Sequence, residues 1–138
     1  MRALRWVLLV SAGVAWGAHA QQPCPALPAD TPLHWEQQAG AAFTVCRALN
    51  AEGEQVFGVM LTERPTITPR RRNREEEARI GAYEMYWYKP DLAVATSEEK
   101  RVTVIELGKG RYAQIWVDAP DAGALQRALG LAQSMALN

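Results

Sequence analysis

Arg101-Val-Thr-Val-Ile-Glu-Leu-Gly-Lys-Gly-Arg-Tyr-Ala-Gln-Ile-Trp-Val-Asp118 decides the fold. Two runs rich in β-branched and aromatic residues flank Gly108-Lys109-Gly110, the pattern of a β-hairpin. With Gly110 in the left-handed position of a three-residue turn, Glu106 faces Tyr112, Val104 faces Gln114 and Val102 faces Trp116. Successive side chains of a strand point to opposite faces. Ile105, Ala113, Ile115 and Val117 then share one face with Thr103 and Leu107, and that face is apolar and needs a cover. The other face carries Tyr112, Gln114 and Trp116. A two-residue turn would exchange these partners.

The cover follows at once in the chain. Ala119-Pro120-Asp121 precedes Leu125, Ala128, Leu129, Ala132 and Met135, whose three- and four-residue spacing predicts an amphipathic helix capped by Asp121. Gly130 weakens that helix by up to about 1 kcal/mol relative to Ala.

Upstream, residues 41–49 alternate, with Phe43 and Val45 on one side and Thr44 and Cys46 on the other, as in a strand. Asn50-Ala-Glu-Gly53 supplies a turn, Gln55 to Glu63 a second strand, and Pro65 and Pro69 a stop. Arg70 to Arg79 has no apolar periodicity and reads as a solvated loop or short helical turn. Ile80 to Lys89 holds Tyr83, Tyr86, Trp87 and Tyr88, an aromatic density that suits a strand. A polar connection spans 92–100. Strands first and one helix last predict a single α+β domain, a twisted antiparallel sheet of about five to six strands packed by the C-terminal helix.

The N-terminus indicates a compartment. Met1-Arg-Ala-Leu-Arg5 precedes an apolar run from Trp6 to Trp16 and a small-residue site, Gly17-Ala-His-Ala20, so residues 1–20 read as a secretory signal peptide cut after Ala20. The run is about eleven residues, short of the about 20 that a spanning helix needs. Residues 21–138 then form the exported domain, periplasmic or secreted, with no transmembrane segment after cleavage. Cys24 and Cys46 are expected to pair in that oxidising setting, fastening a proline-rich lead that cannot join a central strand.

The chain has 15 basic and 15 acidic side chains, and losing Arg2 and Arg5 leaves a small acidic excess. Such a balance offers no footprint for nucleic acid. Enzyme chemistry finds little purchase. One histidine, His34, remains after cleavage, and neither Ser97 nor Ser134 sits in the strained turn that exposes a nucleophile. A single histidine with paired cysteines cannot furnish a zinc site, and Glu75, Glu76 and Glu77 lack the loop that bends around calcium. No cofactor and no metal is expected.

Two features suit recognition. Arg71, Arg72 and Arg74, with Arg70 before them and Glu76 among the following glutamates, form a loop whose guanidinium forks bind carboxylate or phosphate. The hairpin face with Tyr112 and Trp116, extended by Tyr86 and Tyr88, has the amphipathic composition of a contact patch. The leading expectation is a non-enzymatic exported protein that docks another envelope or secreted protein through this face and loop, in an inhibitor- or immunity-like role. The alternatives are a small envelope hydrolase using strand carboxylates among Glu84, Glu106 and Asp118, and a structural accessory subunit of an envelope complex.

Overall fold

A computed structural model describes residues 23–92 and 94–138; the expected signal peptide, residues 1–20, lies outside the described residues. The elements are β1 (His34–Ala39), β2 (Phe43–Leu49), β3 (Gln55–Thr62), a 3-10 turn (Arg71–Asn73), β4 (Arg74–Ile80), β5 (Tyr83–Tyr88), β6 (Glu99–Gly108), β7 (Arg111–Ala119) and α1 (Ala122–Gln133). The strands form one antiparallel sheet in the order β1-β2-β3-β7-β6-β5-β4. Among the described residues the sheet therefore has seven strands, more than the five to six expected, and β1 and β4, neither of which the sequence pattern marks as a strand, are its edges.

Of the two turns open to the hairpin, the three-residue one forms. Glu106 pairs with Tyr112, Val104 with Gln114 and Val102 with Trp116. A bulge before Gly108 and a left-handed Gly110, φ +69°, turn the chain. At the β2–β3 turn, the Asn50 side chain accepts from the backbone N–H groups of Glu52 and Glu54, and Gly53 takes φ +79°.

One sheet face builds the core. Cross-strand rows run Thr44, Leu61, Ala113, Ile105 and Cys46, Val59, Ile115, Thr103, all buried. α1 covers the β7 side with buried Leu125, Ala128, Leu129 and Ala132. Its cap is Asp121, whose carboxylate accepts from the Ala124 N–H at 2.8 Å. Trp87, fully buried, donates from its indole N–H to Gln133 Oε1 at 3.0 Å, pinning β5 to the helix.

The proline-rich lead covers the β1–β3 side of that same face. A Cys24–Cys46 disulfide ties it to β2, with Cα atoms 5.8 Å apart. Trp35 donates to the Pro25 carbonyl at 2.8 Å and packs edge-on against Phe57. Ala26 bridges to Ala136, so the lead also meets the chain's last residues.

Residues 70–79 correct the expected loop. Only the 3-10 turn is irregular, and Arg74–Ile80 is an edge strand. Its inward positions are Glu76, Ala78 and Ile80, and the rest faces water, which is how an edge strand can be mostly charged.

Candidate binding face

The face opposite α1 carries the recognition candidates. A row of directly paired residues crosses all seven strands: Glu36, Arg47, Gly58, Trp116, Val102, Tyr88 and Arg74. Directly opposed residues share a face, so this row joins the Arg/Glu segment to the aromatic face at Arg74. The Arg74 guanidinium lies over the Tyr86 ring, 4.1 Å from its centroid. Features far apart in sequence thus become one surface.

Trp116 is its centre. The indole's six-membered ring occupies the space where a side chain at position 58 would stand, and Gly58 leaves that space free. The ring is half-buried on the sheet. A shallow depression of about 360 Å³ beside it is lined by Arg47, Gln55, Val56, Trp116 and Asp118. Arg47 donates to Gln55 at 2.8 Å and to Glu36 at 2.5 Å; Lys100 bridges Asp118 at 2.7 Å and Glu98 at 3.1 Å. An aromatic platform between charged pairs of balanced sign is the result.

Part of this face is covered. Because β3 and β4 lie far apart in the sheet, the connection between them, residues 63–70, must cross β7, β6 and β5. It crosses on the open face. Gln114 Oε1 accepts from the Thr66 N–H at 2.6 Å and the Ile67 N–H at 3.1 Å, and Gln114 Nε2 donates to Thr66 Oγ1 at 2.9 Å. Gln114 is only 4% exposed as a consequence. Tyr112, in the row beyond Gln114, is half-buried, as are Tyr86 and Tyr88.

The arginines find partners other than the adjacent glutamates. Arg70 and Arg72 both reach Asp91, at 3.2 and 3.8 Å. A hydrogen bond from Asn73, with the charges of Arg70 and Arg72, holds the Asp91 carboxyl below its ordinary pKa. Arg71 is exposed and has no ion pair among the described residues.

Glu76 lies elsewhere. It points to the helix side, where both its oxygens take the buried Arg101 guanidinium at 2.7 and 3.1 Å. Burial alone would raise the Glu76 pKa, but hydrogen bonds from Arg101, the Glu76 backbone and Gln126, together with the Arg101 charge, outweigh it and hold the carboxyl below the usual range. Glu76 is therefore a structural partner and is separated from the open face. Arg101 is the residue that sequence reasoning missed, a cation at a core position of an otherwise apolar alternation.

The strand carboxylates do not converge with Asp118. Glu84 pairs with Arg79 at 2.5 Å and Asp118 with Lys100. Glu106 sits opposite Tyr112, six positions along β7 from Asp118, or roughly 20 Å of strand. His34 opens the edge strand β1, and Ser134 ends α1 with its hydroxyl donating to the Leu131 carbonyl.

No described helix is long and apolar enough to cross a membrane. No family model matches the chain, and no curated protein or solved structure matches it.

Proposed function

We propose that this chain is an exported, non-enzymatic binding protein that docks another envelope or secreted protein through the open sheet face. Trp116 is the anchor, and the exposed arginines at the β5–β4 end are the charged rim. The observation that carries this reading is the continuous row from Arg74 through Tyr88 and Val102 to Trp116. Binding energy concentrates on Trp, Tyr and Arg that the partner desolvates fully, ringed by near-neutral contacts that exclude water, and this row supplies those residue types. The crossover at residues 63–70 narrows the usable area to the Trp116 end and the β4–β5 edge.

The disulfide supports the exported setting, since such bridges persist in oxidising compartments. An inhibitor- or immunity-like role is consistent with a small domain presenting a preformed face. Capture of the partner by the wild-type chain, compared with a folded Trp116→Gln variant, tests the reading: loss of capture supports it, and full capture removes Trp116 from the docking site.

A further inference from the structure

The two edges of the sheet are unlike. β4 displays Arg74, Glu75, Glu77 and Arg79 in water and bears a bulge between Arg74 and Glu77. Charges and bulges on an edge discourage a foreign strand from adding to it. β1 has no bulge and little charge. Its residues, His34-Trp-Glu-Gln-Gln-Ala39, contain no proline and a single acid, Glu36, already bonded to Arg47. It pairs with β2 without a register shift, and all of it except Trp35 is exposed. Among the described residues no element lies beyond it.

We propose that β1 pairs with β1 of a second copy of this chain, joining two sheets through an antiparallel seam. A twofold axis normal to the sheet keeps both faces continuous, so opposed residues must come from the same face of each strand. Two registers retain the most pairs within His34–Ala39. One is centred on Glu36 and the other on Gln37.

Charge decides between them. The register centred on Glu36 sets that carboxylate against Glu36 of the second copy, and like charges directly opposite destabilise a pair. The register centred on Gln37 sets Gln37 against Gln37, Glu36 against Gln38 and Trp35 against Ala39. Each carboxylate then meets an amide that can donate to it. Of the two registers, this one alone keeps the Glu36 carboxylates from facing each other.

The seam is short, well below the area of a standard stable interface of about 1,600 Å². Self-association is therefore weak and concentration-dependent. Its geometry places both α1 helices on one side and both open faces on the other, so the pair presents two Trp116 platforms in the same direction. A partner with repeated sites would be held by both, with a gain in avidity over either face alone.

Sedimentation equilibrium of the exported chain over a wide concentration range tests the proposal, with circular dichroism confirming that each variant is folded. The wild type should move from monomer toward dimer as concentration rises. Gln37→Lys sets two ammonium groups opposite each other and should weaken dimerisation several-fold. Gln38→Lys sets a lysine opposite Glu36 of the second copy and should preserve or tighten it. Monomer at every concentration would overturn the proposal and leave the edge to a foreign strand or to none. A dimer indifferent to both substitutions would place the contact on another surface, and equal weakening by both would refute the register.

Discussion

Replacing Gly58 with alanine should displace Trp116 while leaving its identity unchanged. Gly58 is buried in β3 and its φ is not positive, so alanine is compatible with the backbone. Gly→Ala in a strand would by itself stabilise by roughly 0.5–1 kcal/mol. The added Cβ, however, enters the space held by the indole. An indole buries on the order of 200 Å², and the face lying on the sheet is about half of that, so lifting it forfeits about 2–3 kcal/mol at 25 cal/mol per Å². The net expectation is a loss of about 1–2 kcal/mol, read as a lower urea midpoint with an unchanged slope. In a Trp116→Ala background the obstacle is gone, and the same Gly58→Ala change should be neutral or stabilising. A double-mutant cycle reads this change of sign. An equal loss in both backgrounds would refute the packing of Trp116 on Gly58 and the platform built on it.

The Glu76–Arg101 pair predicts an acid-sensitive component of stability. The folded Glu76 carboxyl lies below its ordinary value of 4.5, so its contribution is complete above that value and is lost as pH falls through the folded pKa. Glu76→Gln should cost about 1–3 kcal/mol at neutral pH and flatten the acid limb of the stability curve; an unchanged limb would contradict the assignment. Leu129→Ala should cost about 2–5 kcal/mol in urea melts, while Arg127→Ala on the exposed side of α1 should stay within about 0.5 kcal/mol. Reduction of the Cys24–Cys46 bridge, which closes a separation of 22 residues, should cost about 3 kcal/mol. Intact mass after alkylation, with and without reductant, checks that the bridge exists in the purified protein.

The centre of the sheet was legible in the sequence because its periodicity is strong. In β7, Ala113, Ile115 and Val117 alternate with Tyr112, Gln114 and Trp116, so the hairpin and its two faces follow from the pattern, whereas Gly108-Lys109-Gly110 admits two turn lengths and the register is fixed only by the bulge before Gly108 and the left-handed Gly110. The spacing of Leu125, Ala128, Leu129 and Ala132 gave the helix in the same way. The edges were not legible. β1 offers Trp35 as its lone large apolar residue, and β4 keeps its alternation only in Glu76, Ala78 and Ile80, since an edge strand needs little apolar surface to be held. Glu76 was misplaced for that reason: its inward direction depends on β4 being a strand, and its partner Arg101 lies 25 residues away in sequence. The covering of the open face depends on strand order. Only with β4 at the far edge must residues 63–70 cross β7 and meet Gln114.

Partner capture by a Trp116→Gln variant tests the proposed docking face most directly. Immobilised residues 21–138, presented to an envelope extract alongside the folded variant and a second variant with Arg71, Arg72 and Arg74 replaced by alanine, should retain a stoichiometric protein partner. The account predicts that Trp116→Gln stays folded, though about 2–3 kcal/mol less stable, and loses this partner, and that the arginine variant holds it more weakly and with less salt dependence. Retention of the same partner, undiminished, by a folded Trp116→Gln chain would contradict it.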